Sequence, residues 1–169
     1  MLNFHCIRAA TPSDEAALWE MLMYAAHESS IPAVQQNPDL ARYVSGWGRA
    51  GDLGVVALKV DRVVGAAWLR LWSEGDRGYG YVADEVPELA IAVIPSLRGQ
   101  GIGNALLQQL LQTAKSQFSA VSLSIRADNP ALRLYERIGF VLVPGSEVIN
   151  RTGGRSFSMI HSLTGLSDI

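Results

Sequence analysis

The chain has 169 residues, 49% of them apolar and 18% charged, with a formal net charge of -2. That composition describes an ordered globular chain with enough length for a sizeable core, and a single domain over residues 1–169 is expected. It excludes the basic runs that hold nucleic acid or an anionic membrane. Its longest apolar run, "ELAIAVI", is strand-sized, well short of the roughly 18 residues of a membrane span.

The opening "MLNFHCIRAATPSDE" has no basic segment leading into an apolar one, so it does not read as a signal peptide. Residues 4 to 11 alternate loosely and predict a first strand. A helix follows in "TPSDEAALWEMLMYAAH". Ser13 or Thr11 can cap it, and Leu18, Met21, Leu22 and Ala25 form its apolar face. "ESSIPAVQQNP" carries two prolines and reads as a break. "DLARYVSGWGRAGD" predicts a short second helix ending at glycine. "LGVVALKVDRVVGAAWLRLWS" predicts a hairpin around Asp61 and Arg62, with Trp68 and Trp72 packing from one strand face. "EGDRGYGYVADEVP" is polar and glycine-broken, hence a loop.

"ELAIAVI" is expected to be a central strand. It runs into "PSLRGQGIGNALL", where Gly103, Leu106, Leu107, Leu110, Leu111 and Ala114 recur at helical spacing. "AVSLSIRA" alternates as a strand. "DNPALRLYERIGF" is a short helix in which Asp128 or Asn129 can cap the start and Gly139 the end. "VLVPGSEVIN" and "RSFSMIHSL" complete the order βααβββαβαββ as two strands, a mixed sheet with helices packed on it.

The glycines of "RGQGIG" sit where a strand hands over to a helix. The first turn of a helix has unpaired N–H groups and partial positive charge. Glycine lets backbone approach a bulky anion, and Arg98 adds a fixed charge. The turn is therefore suited to a phosphate or diphosphate. A dinucleotide G-x-G-x-x-G fails at Asn104, and a P-loop fails because no lysine follows Gly103.

The spacing Arg98-x-x-Gly101-x-Gly103 after an apolar strand resembles the signature of the GCN5-related N-acetyltransferases, the GNAT superfamily. "NPALRLYERIGF" resembles a second segment of that family, and the element order matches it over nearly the whole chain. The resemblance implies an α+β, three-layer fold: a mixed, mostly antiparallel twisted sheet of about six to seven strands with helices on both faces. It implies acetyl-coenzyme A as co-substrate, its pyrophosphate held by Arg98, Gly99, Gln100, Gly101, Ile102, Gly103 and Asn104. Ile91, Ala92 and Val93 would run along the pantetheine arm, one of their N–H groups polarising the thioester carbonyl. Asn129 would contact the pantetheine or the end of the neighbouring strand. Tyr135 would act as the acid toward the departing thiol, and Glu88 as a base for the amine. Without the resemblance, Tyr135 on the apolar face of its helix would be read as packing.

The acceptor implied is a primary amine on a small molecule or peptide, gripped near Tyr24 to Trp47 and Glu74 to Glu88. Nothing in those segments identifies it. Asp84 and Glu85 read as solvated loop carboxylates. Cys6, the single cysteine, fits a reducing, cytoplasmic setting and reads as a buried inert thiol rather than a nucleophile. His5, His27 and His161 have no metal-ligand spacing. Many members of that family dimerise, so a homodimer is compatible. A non-catalytic acyl-coenzyme A sensor would use the same phosphate turn, but it would need neither Tyr135 nor a base.

Overall fold

The structure, a computed structural model, describes residues 6–73 and 75–164. His5, Glu74 and the start of the first predicted strand lie outside the described residues. Two compact units divide the chain. One runs to Arg70 and resumes over Ala90–Thr113; the other consists of Leu71–Leu89 and the chain from Ala114 onward.

In the first unit the sheet order is β1 (Cys6–Ala9), β2 (Leu53–Lys59), β3 (Arg62–Arg70) and β4 (Glu88–Val93). β1 pairs with β2 and β2 with β3, both antiparallel. The predicted hairpin turns at Val60, which adopts a φ of 51°. A 3-10 turn at Pro12–Asp14 leads into α1 (Glu15–Ala25), which buries Leu18, Met21 and Leu22. α2 (Ile31–Gln35) and α3 (Pro38–Ala41) follow. α4 (Ile102–Ala114) buries Leu106, Leu107, Leu110 and Leu111, as its periodicity predicts.

α2 is a correction to the sequence reading. Pro32 sits in its first turn, where a missing N–H costs nothing, and the Ala33 N–H donates to the Ser30 hydroxyl at 3.2 Å as an N-cap. The prolines start short helices here rather than end order. The next predicted helix is only α3, after which the chain continues in turns.

The second unit begins at Leu71 and takes in the first two residues of β4, Glu88 and Leu89. Glu88 stands opposite Ser122 in a parallel pairing with β5 (Ala120–Arg126). β5 pairs antiparallel with β8 (Arg155–Ser162). β8 also takes β6 (Val141–Leu142) and β7 (Val148–Ile149), both antiparallel. The stretch read as one strand over 141–150 is thus two short ones, separated where Ser146 N–H turns back to Val143 O. That split makes eight strands among the described residues. The sheet is mixed and mostly antiparallel with helices, as the resemblance implies. α5 (Leu132–Ile138) starts later than "DNP" suggests. Tyr135, Phe140, Val121, Leu123, Ile125 and Met159 form the apolar core of this unit.

Candidate active site

The glycine turn lies in the first unit. After β4 the chain makes a 3-10 turn at Pro95–Leu97, Arg98 is extended, and α4 begins at Ile102. Gly99 and Gly101 have φ of 76° and 87°, the left-handed region in which a side chain is strained. The amides of Gly99, Gln100, Gly101, Ile102, Gly103 and Asn104 donate to no acceptor among the described residues. The first helical amides are orphaned in any helix; here the turn before them adds more. A Cβ on Gly103 would meet only Val93 Cγ2 at 3.9 Å, so its bareness leaves the approach open rather than relieving a clash. Arg98 is exposed, and its Nε donates to Val93 O at 3.2 Å, which ties the cation to the strand end. A run of free amides beside a tethered guanidinium fits a diphosphate. Ile91, Ala92 and Val93 lie in β4 immediately before it.

The other predicted residues lie in the second unit. Tyr135 is buried on α5, with its ring edge-on to Phe140 at 5.7 Å. Its hydroxyl has no hydrogen-bond partner among the described residues, although buried phenols usually find one. Burial pushes its pKa up to about 12, so the phenol keeps its proton. Asn129 Oδ1 accepts the Ala131 N–H at 2.9 Å at the head of α5, and its own N–H donates to Arg126 O at 3.0 Å.

Glu88 is 3% exposed. Its Oε1 accepts the Trp72 indole N–H and the Gly80 N–H, each at 2.9 Å. Gly80 O in turn accepts the Ser122 hydroxyl at 2.7 Å. Trp72 lies beyond the end of β3, not on it, and its polar edge is engaged; reading it as plain strand packing misses this contact. The alternating glycines of "GYGY" were the sequence signal for a close approach here.

Residues 16–140 match the acetyltransferase (GNAT) family. The chain belongs to that family. A glucosamine 6-phosphate N-acetyltransferase of Trypanosoma brucei brucei is 30% identical over 82 residues, 47% of this chain and 51% of that protein, so the chain spans about half the length of this curated relative. The ribosomal-protein-S18-alanine N-acetyltransferase of Escherichia coli has a TM-score of 0.69 at 20% identity, covering 98% of this chain and 97% of that one. A phosphinothricin acetyltransferase from Sinorhizobium meliloti, in complex with acetyl-coenzyme A, has a TM-score of 0.69 at 22% identity, covering 96% of this chain and 89% of that one. At those identities the two structures establish the GNAT fold.

The remaining sequence signals fall as follows. Tyr43 and Trp47 are buried: Tyr43 O accepts the Trp68 indole N–H at 2.9 Å, and Trp47 N–H donates to Glu15 Oε1 at 3.0 Å. Asp84 is exposed and takes the Tyr81 hydroxyl at 2.6 Å; Glu85 is exposed. Cys6 is exposed, contrary to the buried thiol expected, because β1 is a four-residue strand at the end of the strand order and mostly exposed. Among the described residues no His, Cys, Asp and Glu cluster could hold a metal, and no helix is long and apolar enough to cross a membrane.

Proposed function

We propose that this GNAT protein transfers an acetyl group from acetyl-coenzyme A to a primary amine by direct attack of the amine on the thioester. The turn from Arg98 to Asn104 binds the diphosphate through its free amides, and Arg98 adds a charge-assisted contact. Within Ile91–Val93, a backbone N–H polarises the carbonyl as negative charge develops on its oxygen. Asn129 supports the pantetheine arm. Glu88 takes the proton of the attacking amine, directly or through a water.

The observation that carries the reading is the buried Tyr135 hydroxyl, unpartnered among the described residues and held protonated by burial. A group in that state lacks a partner at rest and can supply one to the departing sulfur. A free thiol has a pKa near ~8.5, so full proton transfer from a phenol near 12 runs uphill unless the thiolate is also leaving into dry surroundings. Tyr135 therefore works as a hydrogen-bond donor while the C–S bond breaks, and completes the transfer only as the thiolate forms.

The acceptors in the relatives' names are a sugar-phosphate amine, the alanine of a ribosomal protein and phosphinothricin. A primary amine on a small metabolite or on a peptide is the class we assign. The test is release of free thiol from acetyl-coenzyme A against a panel of such amines. Amine-dependent release supports the transferase; tight coenzyme binding with no release for any amine would indicate an acyl-coenzyme A-binding module instead.

A further inference from the structure

We infer that Trp72 is a positioning residue for this transfer: its indole N–H holds the Glu88 carboxylate in the orientation and charge state that accept a proton. The inference rests on the reading of Glu88 as the proton acceptor. Two neutral donors, the Trp72 indole and the Gly80 amide, meet on one carboxylate oxygen at 2.9 Å each. Trp72 and Glu88 are each 3% exposed. A buried carboxylate with no donors would take up a proton and lose its basic function. A paired cation would keep it ionised but would also make it a weak base. Neutral N–H donors lie between these extremes: they stabilise the anion without cancelling its charge.

The surrounding sequence is shaped to bring these donors in. Gly78 and Gly80 have no side chain where one would not fit. A Cβ at 80 would stand 2.7 Å from Leu123 C and Ser124 N and 2.9 Å from Glu88 Cδ; one at 78 would overlap Glu88 Oε1 and come within 2.7 Å of the Trp72 ring. The Ser122 hydroxyl fixes the Gly80 carbonyl at 2.7 Å, and its N–H donates to Pro87 O at 3.0 Å. The Gly80 donor is thereby pinned to β5, and Trp72 supplies the second donor from the other end of the same segment. Other titratable groups on that segment are, among the described residues, Asp76, Arg77, Tyr79, Tyr81, Asp84 and Glu85, and Glu74 in the sequence. Arg77 is stacked over the Tyr81 ring at 4.2 Å, and Tyr81 is bound to Asp84. β5 brings Ser122, Ser124 and, at its far end, Arg126.

The experiment compares wild type, Trp72→Phe, Ser122→Ala and Glu88→Gln in steady-state transfer from acetyl-coenzyme A to one amine between pH 5 and 9. With the same amine throughout, its own ionisation cancels between variants. Trp72→Phe keeps an aromatic six-membered ring and removes the N–H together with the five-membered ring that carries it. The expected result is a kcat about 10-fold lower near neutral pH, an unchanged KM for acetyl-coenzyme A, and an acidic limb of kcat moved to higher pH. Ser122→Ala, which only loosens the Gly80 donor, moves the limb the same way by less and keeps the test open should Trp72→Phe fold poorly. Limbs that stay in place in both variants, while Glu88→Gln abolishes transfer, overturn the role of Trp72 and leave the base assignment standing. Full kcat in Glu88→Gln, whose amide oxygen still accepts both donors, overturns the base assignment and this inference with it.

Discussion

Tyr135 and Arg98 separate the two tasks of the proposed chemistry. Tyr135→Phe should leave acetyl-coenzyme A affinity unchanged and lower kcat by about 10²-fold, the lower range for a positioned acid. Loss of an unpartnered buried hydroxyl should not destabilise the fold, since such a group costs about 1–3 kcal/mol to bury. Calorimetry, thiol release and urea unfolding check the three parts, and a stability loss would mean that the phenol has a partner after all. With its pKa at about 12, wild type should also show no basic limb from Tyr135 below pH 10. Arg98→Ala should do the reverse: a coenzyme Kd weaker by about 10-fold, the worth of one charge-assisted contact, with kcat at saturation little changed. In the sequence, Tyr135 stood out only through its family segment; an apolar helix face gives no sign that a hydroxyl has no partner among the described residues. Glu88 could be named there too, but its donors could not, because Trp72 is 16 residues away and meets it through a turn that no periodicity encodes.

At the scale of elements, two polar clusters fix the short helices and turns of the first unit. Arg70 ends β3 inside the protein, where Nε and one terminal nitrogen bind Asp52 at 3.0 and 2.8 Å and the other terminal nitrogen holds the carbonyls of Arg42 and Ser45 at 2.8 and 2.7 Å. Both side chains are 2% exposed. Asp52→Ala would strand a buried guanidinium, and a loss of about 3–5 kcal/mol in urea unfolding is expected. The second cluster joins β1 to the turn before α1. Arg8 grips Asp14 at 2.7 and 2.9 Å, and the Thr11 N–H adds a bond at 2.8 Å. The Arg8 hydrogen bond, ahead of the Thr11 contact, holds the Asp14 carboxyl below its usual 3.8. A carboxyl depressed by folding stabilises above its unfolded value and loses that contribution as pH falls through its folded one. Stability should therefore drop below about pH 4, and Asp14→Asn should flatten that part of the acid titration. Periodicity gave α1, α4 and the long strands; it missed α2 and merged β6 and β7 into one strand, because these elements are held by caps, prolines and pairing to β8 rather than by a repeating apolar face.

For the molecule as a whole, coenzyme binding should register as stability. A ligand at 100 times its Kd stabilises the native state by about 2.7 kcal/mol, which for a chain of this size is a rise in melting temperature of about 5–10 °C. Thermal melts with and without acetyl-coenzyme A measure it directly, and at the same ligand concentration Arg98→Ala should show a visibly smaller rise. Family membership was readable at this scale because the glycine turn and the segment around Tyr135 each stand in a fixed local context. The acceptor was not, since no motif in the sequence marks an amine-binding side chain, and Tyr43 and Trp47 turned out to be buried.

The exposed thiol on β1 has a practical corollary. Cys6 is the single cysteine in the chain, so a maleimide dye would attach at one defined surface point without mutagenesis. Preparations stored without reductant would accumulate covalently linked pairs, and an apparent dimer on a sizing column should be rerun with dithiothreitol before it is taken as an assembly.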